Sequence, residues 1–183
     1  MRERLSQSVP NRYRVVGPKK LPHPWLPDVD MLIKDSRDLA ILVGELKWVR
    51  QPVRAIDQMD KDAELEEGFG QLHAVREFLL HNPDYLKECG VTERREHPAT
   101  LSYAVIARDH ITNTLEKDGL WLAEYDSLVW ALNNSVSLMD AIGRLQSYDW
   151  LPLEGRDFVV RFEAGSIAGV TMESEAFHRM PKA

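Results

Sequence analysis

Cysteine is nearly absent. Cys89 is the only one in 183 residues, which excludes an internal disulfide and fits a reducing compartment, so the cytoplasm is the expected location. No stretch approaches the ~18 uncharged apolar residues of a membrane-spanning helix, and the N-terminus has no apolar signal-peptide core, so no membrane partner is expected. Zinc lacks its ligand pattern, because His23, His73, His81, His97, His110 and His178 form no metal-spaced pairing with cysteine. Of these, His110 alone follows an apolar strand-like run and merits watching. Neither Ser137 nor Ser166 lies in a G-x-S-x-G context, and no GxxxxGK[ST] loop is present. Serine-nucleophile hydrolysis of that type and nucleotide-driven motor action are therefore not expected. Repeats and low-complexity tracts are also missing.

Positive charge is in short supply overall. The formal net charge is −6, the opposite of the basic balance expected of a nucleic-acid binder. Its distribution is uneven. Residues 1–20 carry Arg2, Arg4, Arg12, Arg14, Lys19 and Lys20 against Glu3 alone, while residues 57–67 carry six acids against Lys61. The basic start can follow a phosphate backbone or serve as a solvated leader.

What is present begins with enough chain for one domain with a real core, at 183 residues and 44% apolar. A basic, proline-rich N-terminal segment (1–24) is expected to precede a single folded domain (25–183). Pro10, Pro18, Pro22, Pro24 and Pro27, with Gly17, exclude a long helix there. They leave an extended segment with a short edge strand at 13–16, anchored on the core by Trp25 and Leu26. The five tryptophans are most simply core and boundary residues.

Residues 28–48 organise the remainder. Two short β-branched or aliphatic runs, 29–33 and 39–46, flank a polar break at 34–38, which predicts a β-hairpin. A four-residue loop pairs Asp35 with Ala40, and paired residues then sum to 75. That register sets Asp30 opposite Glu45, with Cβ atoms about 4.5–5.5 Å apart. Two carboxylates this close repel, each raising the other's pKa, unless a cation such as an oxygen-preferring divalent metal lies between them. Lys47 shares the face of Glu45. A two-residue loop would instead bring Asp28 opposite Glu45. A surface ladder of such charges would stabilise by only roughly 0.2–1 kcal/mol per pair. However, residues 39–46 are apolar on both faces except at Glu45, so this carboxylate lies in a covered strand and needs a partner or a metal.

Downstream, a helix is predicted over 56–81, with Leu65, Phe69, Leu72, Val75 and Leu79 as one apolar stripe. Gly68 and Gly70 within it cost roughly 1 kcal/mol each relative to alanine, which implies a close approach to the hairpin or to substrate. Gln71 borders the stripe. A short charged helix and loop (84–99) precede a central strand at 100–107, apolar on both faces. A strand at 120–125 then leads into a helix capped by Asp126, and a further helix covers 136–145. A late hairpin of 158–162 and 167–172 turns at Ala164-Gly165.

Asp30, followed after a hairpin by Glu45-Leu46-Lys47 and then by the Glu67-Gly68-Phe69-Gly70-Gln71-Leu72 segment, resembles the PD-(D/E)XK nuclease superfamily. The likeness covers roughly residues 25 to 110. It implies a restriction-endonuclease-like α/β fold, a mixed central sheet flanked by helices. It also implies a metal-dependent nuclease hydrolysing phosphodiester bonds of nucleic acid, DNA first. On that resemblance Asp30 and Glu45, with the Leu46 carbonyl, hold Mg²⁺ or Mn²⁺, and Asp28 is a second-shell or alternative ligand. Lys47 orients water and offsets developing charge, and Gln71 positions water or phosphate. Arg12, Arg14, Lys19 and Lys20 would contact nucleic acid. A homodimer, or membership of a larger protein or complex, is compatible with this reading. The family's opening helix has only residues 2–8 to form it, so that helix is short or the chain is an excerpt. The competing reading is a non-catalytic nuclease-fold module binding nucleic acid or protein.

Overall fold

A computed structural model of the chain describes residues 2–37, 40–48, 55–89, 100–108, 115–148, 158–167 and 170–179. For 55–59, 88 and the two C-terminal strands it describes the backbone alone. Two compact units divide the chain, Met1–Gln146 and Ser147–Ala183. The first opens with α1 (Arg2–Ser8) and β1 (Tyr13–Val16), so the basic N-terminal stretch supplies both a helix and an edge strand. Next come β2 (Met31–Asp35), β3 (Ile41–Trp48), α2 (Ala55–His81), α3 (Tyr85–Glu88) and β4 (Leu101–Arg108). The unit closes with β5 (Glu116–Lys117), β6 (Leu120–Glu124), α4 (Tyr125–Asn134) and α5 (Leu138–Gln146). The second unit holds a hairpin of β7 (Phe158–Ile167) and β8 (Val170–Arg179).

The six strands of the first unit form one mixed sheet in the order β1-β2-β3-β4-β6-β5. Strands β1, β2 and β3 are an antiparallel meander, β3, β4 and β6 run parallel, and β5 returns antiparallel to β6. The hairpin register is Met31↔Gly44 through Lys34↔Ile41, each pair summing to the expected 75. Strand β4 sits between β3 and β6, with Ala104 to Ala107 buried, which accounts for its apolar character on both faces.

Strand parity separates two packed faces. Leu32, Ile41, Val43, Tyr103 and Val105 cluster with Leu65, Phe69, Leu72, Val75 and Leu79 of α2. Full burial of each large side chain in such a stripe stabilises by about 1.5–3 kcal/mol. Met31, Ile33, Leu42 and Ile106 are buried on the alternate face, where α4 packs against β4 and β6. Asp35 also points to that alternate face and is fully buried. Its Oδ1 accepts from the Arg37 amide at 2.9 Å, and its Oδ2 lies 3.7 Å from Arg12 Nε. The Arg12 guanidinium stacks on the Tyr13 ring, 4.6 Å from its centroid, and donates to the carbonyls of Leu132, in the last turn of α4, and Ser135, just after it. One side chain therefore ties the first hairpin to the end of α4.

Several expectations change in detail. The α4 N-cap is Glu124, whose carboxylate accepts from the Ser127 amide at 2.8 Å, not Asp126. Both residues can serve a helix N-terminus, but the chain leaves the extended conformation one residue after Glu124. Ala164 and Gly165 do not turn the late hairpin. They pair with Glu173 and Met172 inside the ladder, and the strands run on to Ile167 and Val170. Trp25 is 76% exposed and stacks on His23 at 4.7 Å, so Leu26 alone reaches the core. Trp121 is buried, whereas Trp48 and Trp130 are exposed. His110, Trp150 and residues 49–54 and 90–99 lie outside the described residues. Among the described residues no helix is long and apolar enough to cross a membrane.

Removing Arg12 strands a fully buried carboxylate, a change that typically costs about 3–5 kcal/mol. Arg12→Ala is expected to lower the urea-unfolding free energy by about 3 kcal/mol. Arg144→Ala, on an exposed pair with Asp140, should change it by less than about 0.5 kcal/mol. Equal effects would show that the Arg12–Asp35 contact carries no such role.

Candidate active site

Glu45 lies in β3, 6% exposed, where its neighbours Val43 and Leu42 are fully buried. Asp30, half-buried, precedes β2 by one residue, and its Oδ2 accepts from the Leu46 amide at 3.0 Å. Continuing the observed pairing beyond Met31↔Gly44 sets Asp30 opposite Glu45. Burial pushes the Glu45 carboxyl up to about 7, the Asp30 charge pushes it the same way, and the Lys47 ammonium opposes both. Asp30 and Glu45 thus form an acid pair that favours holding one proton, or an equivalent cation, between them.

Lys47 follows on the same face of β3. Its Nζ is 3.2 Å from Glu45 Oε1 and donates to Gln71 Oε1 at 2.8 Å. Gln71 Nε2 in turn donates to Glu67 Oε1 at 3.0 Å. A chain of contacts therefore runs Asp30, Glu45, Lys47, Gln71, Glu67, from the sheet onto α2. Gly68 allows it. A Cβ there would stand 2.9 Å from Lys47 Cε and 3.3 Å from Val105 Cγ1, so any larger residue would push the lysine from its place between helix and strand. Gly70 has no such reason, since a Cβ there would meet nothing within 4 Å.

The sequence-predicted residues separate clearly. Asp30, Glu45, Lys47 and Gln71 converge. Asp28 is exposed, and the register that would have set it opposite Glu45 is not adopted. A strand residue's N–H and C=O leave the backbone on the same side, so the Leu46 carbonyl faces the side where its amide meets Asp30. That carbonyl lies two residues beyond the last β2–β3 pair. Arg12 is committed to Asp35 and to backbone carbonyls, which withdraws it from phosphate contact. Arg14 and Lys20 are exposed and Lys19 half-buried.

Two residues of the site had gone unassigned. Glu67 extends the chain of contacts, and its signal is the Glu-to-Gln spacing of four on one helix face. Gly17 sits at φ +139°, and a Cβ there would fall 2.3 Å from the Asp30 carbonyl oxygen. Only glycine permits that approach, and a Gly-Pro step after an edge strand is its only sequence trace.

Among the described residues no three His, Cys, Asp or Glu side chains gather as a metal cage. A pair of carboxylates with a backbone carbonyl suits a hard cation that keeps several waters, the Mg²⁺ pattern, rather than an all-protein site.

Because the Glu45 carboxyl rises from 4.5 to about 7 on folding, the native state holds this proton more tightly than the unfolded chain. Stability from this group is therefore full below about pH 4.5 and is lost as pH rises toward 7. In chelator, melting temperature should fall between pH 5 and 8, and Glu45→Gln should flatten that fall. Mg²⁺ should raise the melting temperature more at pH 8 than at pH 5, since cation and proton compete. An unchanged pH profile in Glu45→Gln would refute the acid pair. Gly68→Ala should gain up to about 1 kcal/mol of helix propensity while dislodging Lys47. Its stability should thus stay near wild type while any activity of the site falls at least about tenfold, for which ~1.4 kcal/mol of lost stabilisation suffices. The comparisons with protein-family models, curated proteins and solved structures return no match, so the reading of this site rests on its own geometry.

Proposed function

We propose that the chain is a metal-dependent nuclease of the PD-(D/E)XK type, on a restriction-endonuclease-like sheet, hydrolysing phosphodiester bonds of nucleic acid and of DNA first. The observation that carries this reading is the convergence of Asp30, Glu45, Lys47 and Gln71 at one place between β3 and α2. The donor set fits Mg²⁺ or Mn²⁺. Asp30 and Glu45 are a pair of acids whose proximity and burial favour a cation, and the Leu46 carbonyl faces the same side. When bound there, such an ion polarises a phosphate oxygen and lowers the pKa of water.

The chain's own groups supply the remainder. Lys47, held by Gln71 and Glu45 in a fixed place, presents an ammonium to the non-bridging oxygens as negative charge grows on them. Its position is set before substrate arrives, so little reorganisation accompanies the reaction. Gln71 sets the direction of the ammonium through its side-chain oxygen, and Glu67 fixes the orientation of the Gln71 amide. The attacking water forms the new P–O bond and loses its proton to bulk solvent as the P–O bond to the sugar breaks, and the departing sugar oxygen takes a proton from solvent. A non-catalytic nuclease-fold module is the second reading, favoured by the net charge of −6.

The test is incubation with plasmid, linear duplex and single-stranded DNA in Mg²⁺, Mn²⁺ or EDTA. Cleavage is expected with metal only. Lys47→Ala should reduce it about 10²–10³-fold, the usual loss for one transition-state donor, while metal-dependent binding persists. Glu45→Ala should remove both the Mg²⁺-induced thermal shift and cleavage. Cleavage in EDTA, or its survival in Glu45→Ala, would overturn the mechanism. Metal-dependent binding without cleavage in either metal would favour the non-catalytic module.

A further inference from the structure

A protein of net charge −6 must concentrate its grip on a polyanion somewhere, and its cations are not equally free. Arg12 is bound to Asp35, Lys87 to Asp84, Lys117 to Glu66 and Arg144 to Asp140. Arg2, Arg14 and Lys19 differ. No hydrogen bond or ion pair engages their side chains among the described residues. All three line one open groove of about 450 Å³ between α1 and the outer strand β1, with Ser6 as a polar wall and Glu3 as its only acid.

One residue lining this groove packs against the backbone of Asp30. This is Gly17, which approaches so closely that a Cβ would fall 2.3 Å from the Asp30 carbonyl oxygen. Farther out, Arg14 lies across from Lys34 of β2. Four extended residues from Asp30 to Lys34 span roughly 13 Å at ~3.3 Å per residue. Lys19 bridges to Val29 on one side of Asp30, Arg14 faces Lys34 on the other, and Arg2 lines the same groove from α1, so the three cations are spread along the groove past Asp30. Cations spread along an open groove suit the phosphates of one polynucleotide strand.

We infer that the nucleic-acid strand attacked at Asp30 and Glu45 runs on through the β1–α1 groove, its backbone phosphates held by Lys19, Arg14 and Arg2. This rests on the nuclease reading above, and it names the part of the surface that holds the substrate. Arg12 and Lys20, though neighbours in sequence, do not line the groove.

The experiment measures binding of a fluorescein-labelled single-stranded oligonucleotide in Mg²⁺ across a salt series. Lys47→Ala serves as the parent so that cleavage does not intervene. Each phosphate contact to a single strand contributes about 0.7 to the slope of log K against log salt. Adding Arg2→Gln, Arg14→Gln and Lys19→Gln together should therefore flatten the slope by about 2, and Arg14→Gln alone by about 0.7. Arg144→Gln should leave it unchanged. Among the described residues the three side chains make no hydrogen bond or ion pair, so the triple variant should melt close to its parent, and the single variants provide the same reading if it does not. An unaltered slope in the triple variant, or a parent that binds no oligonucleotide, overturns the groove. The two readings also fail separately. A flattened slope with a wild type that cuts nothing keeps the groove and removes the nuclease. A cutting wild type matched by groove variants of equal binding and rate keeps the nuclease and removes the groove.

Discussion

Backbone pairing between β2 and β3 forces two carboxylates together regardless of their charge, and the surroundings of the site follow from that. The ladder from Met31↔Gly44 to Lys34↔Ile41 is set by apolar side chains on both faces, and Asp30 and Glu45 are carried along by it. Glu45, buried beside another acid, is left with one positive neighbour, Lys47. Lys47 can reach it only by lying under α2, which needs the missing side chain of Gly68. Gln71, one turn onward, then holds the far end of the ammonium. A substitution at any of these positions acts through the same electrostatic conflict.

The hairpin buries a second acid on its other face and treats it in the opposite way. Asp35 accepts from the Arg37 amide and forms an ion pair with the Arg12 guanidinium, and Arg12 is itself stacked on Tyr13 and tied to backbone carbonyls at the end of α4. That carboxylate has a guanidinium to itself. Glu45, whose partners are a shared lysine and a competing acid, is left with unmet demand for positive charge. Strand parity separates the two, because Glu45 shares the face of residue 30 while Asp35 points to the other face.

Much of this was legible because it is local. Short apolar runs around a polar break fixed the hairpin and its register, and an uninterrupted apolar run marked β4 as central. Glycine in an otherwise regular helical stripe signalled the close approach at Gly68, although the same argument failed at Gly70, which faces open space. Contacts between distant segments were not legible. Nothing near Arg12 in sequence marks Asp35 and Ser135 as its partners, so it read as a free cation. Gly17 read only as a helix-excluding residue because its neighbour Asp30 is brought close by the sheet. Glu124 and Asp126 are equally good caps by composition, and the backbone chooses between them. Trp25 read as an anchor from its size, yet it stacks outward on His23.

The sheet's margins have a consequence of their own. A long, flat edge strand offers unpaired amides and carbonyls to any other chain and so invites aggregation. Here the outer strands are β1, of four residues, and β5, of two. Strand β1 carries the charged Arg14 and is followed by Pro18, which has no amide hydrogen to donate, while β5 consists of a glutamate and a lysine. The long strands β3 and β4, with their nearly continuous runs of buried aliphatic residues, are kept two positions in from one margin or the other. At the margins of this six-stranded sheet, ribbon-to-ribbon growth thus finds only short, charged or proline-bounded edges, and its long aliphatic strands stay out of reach.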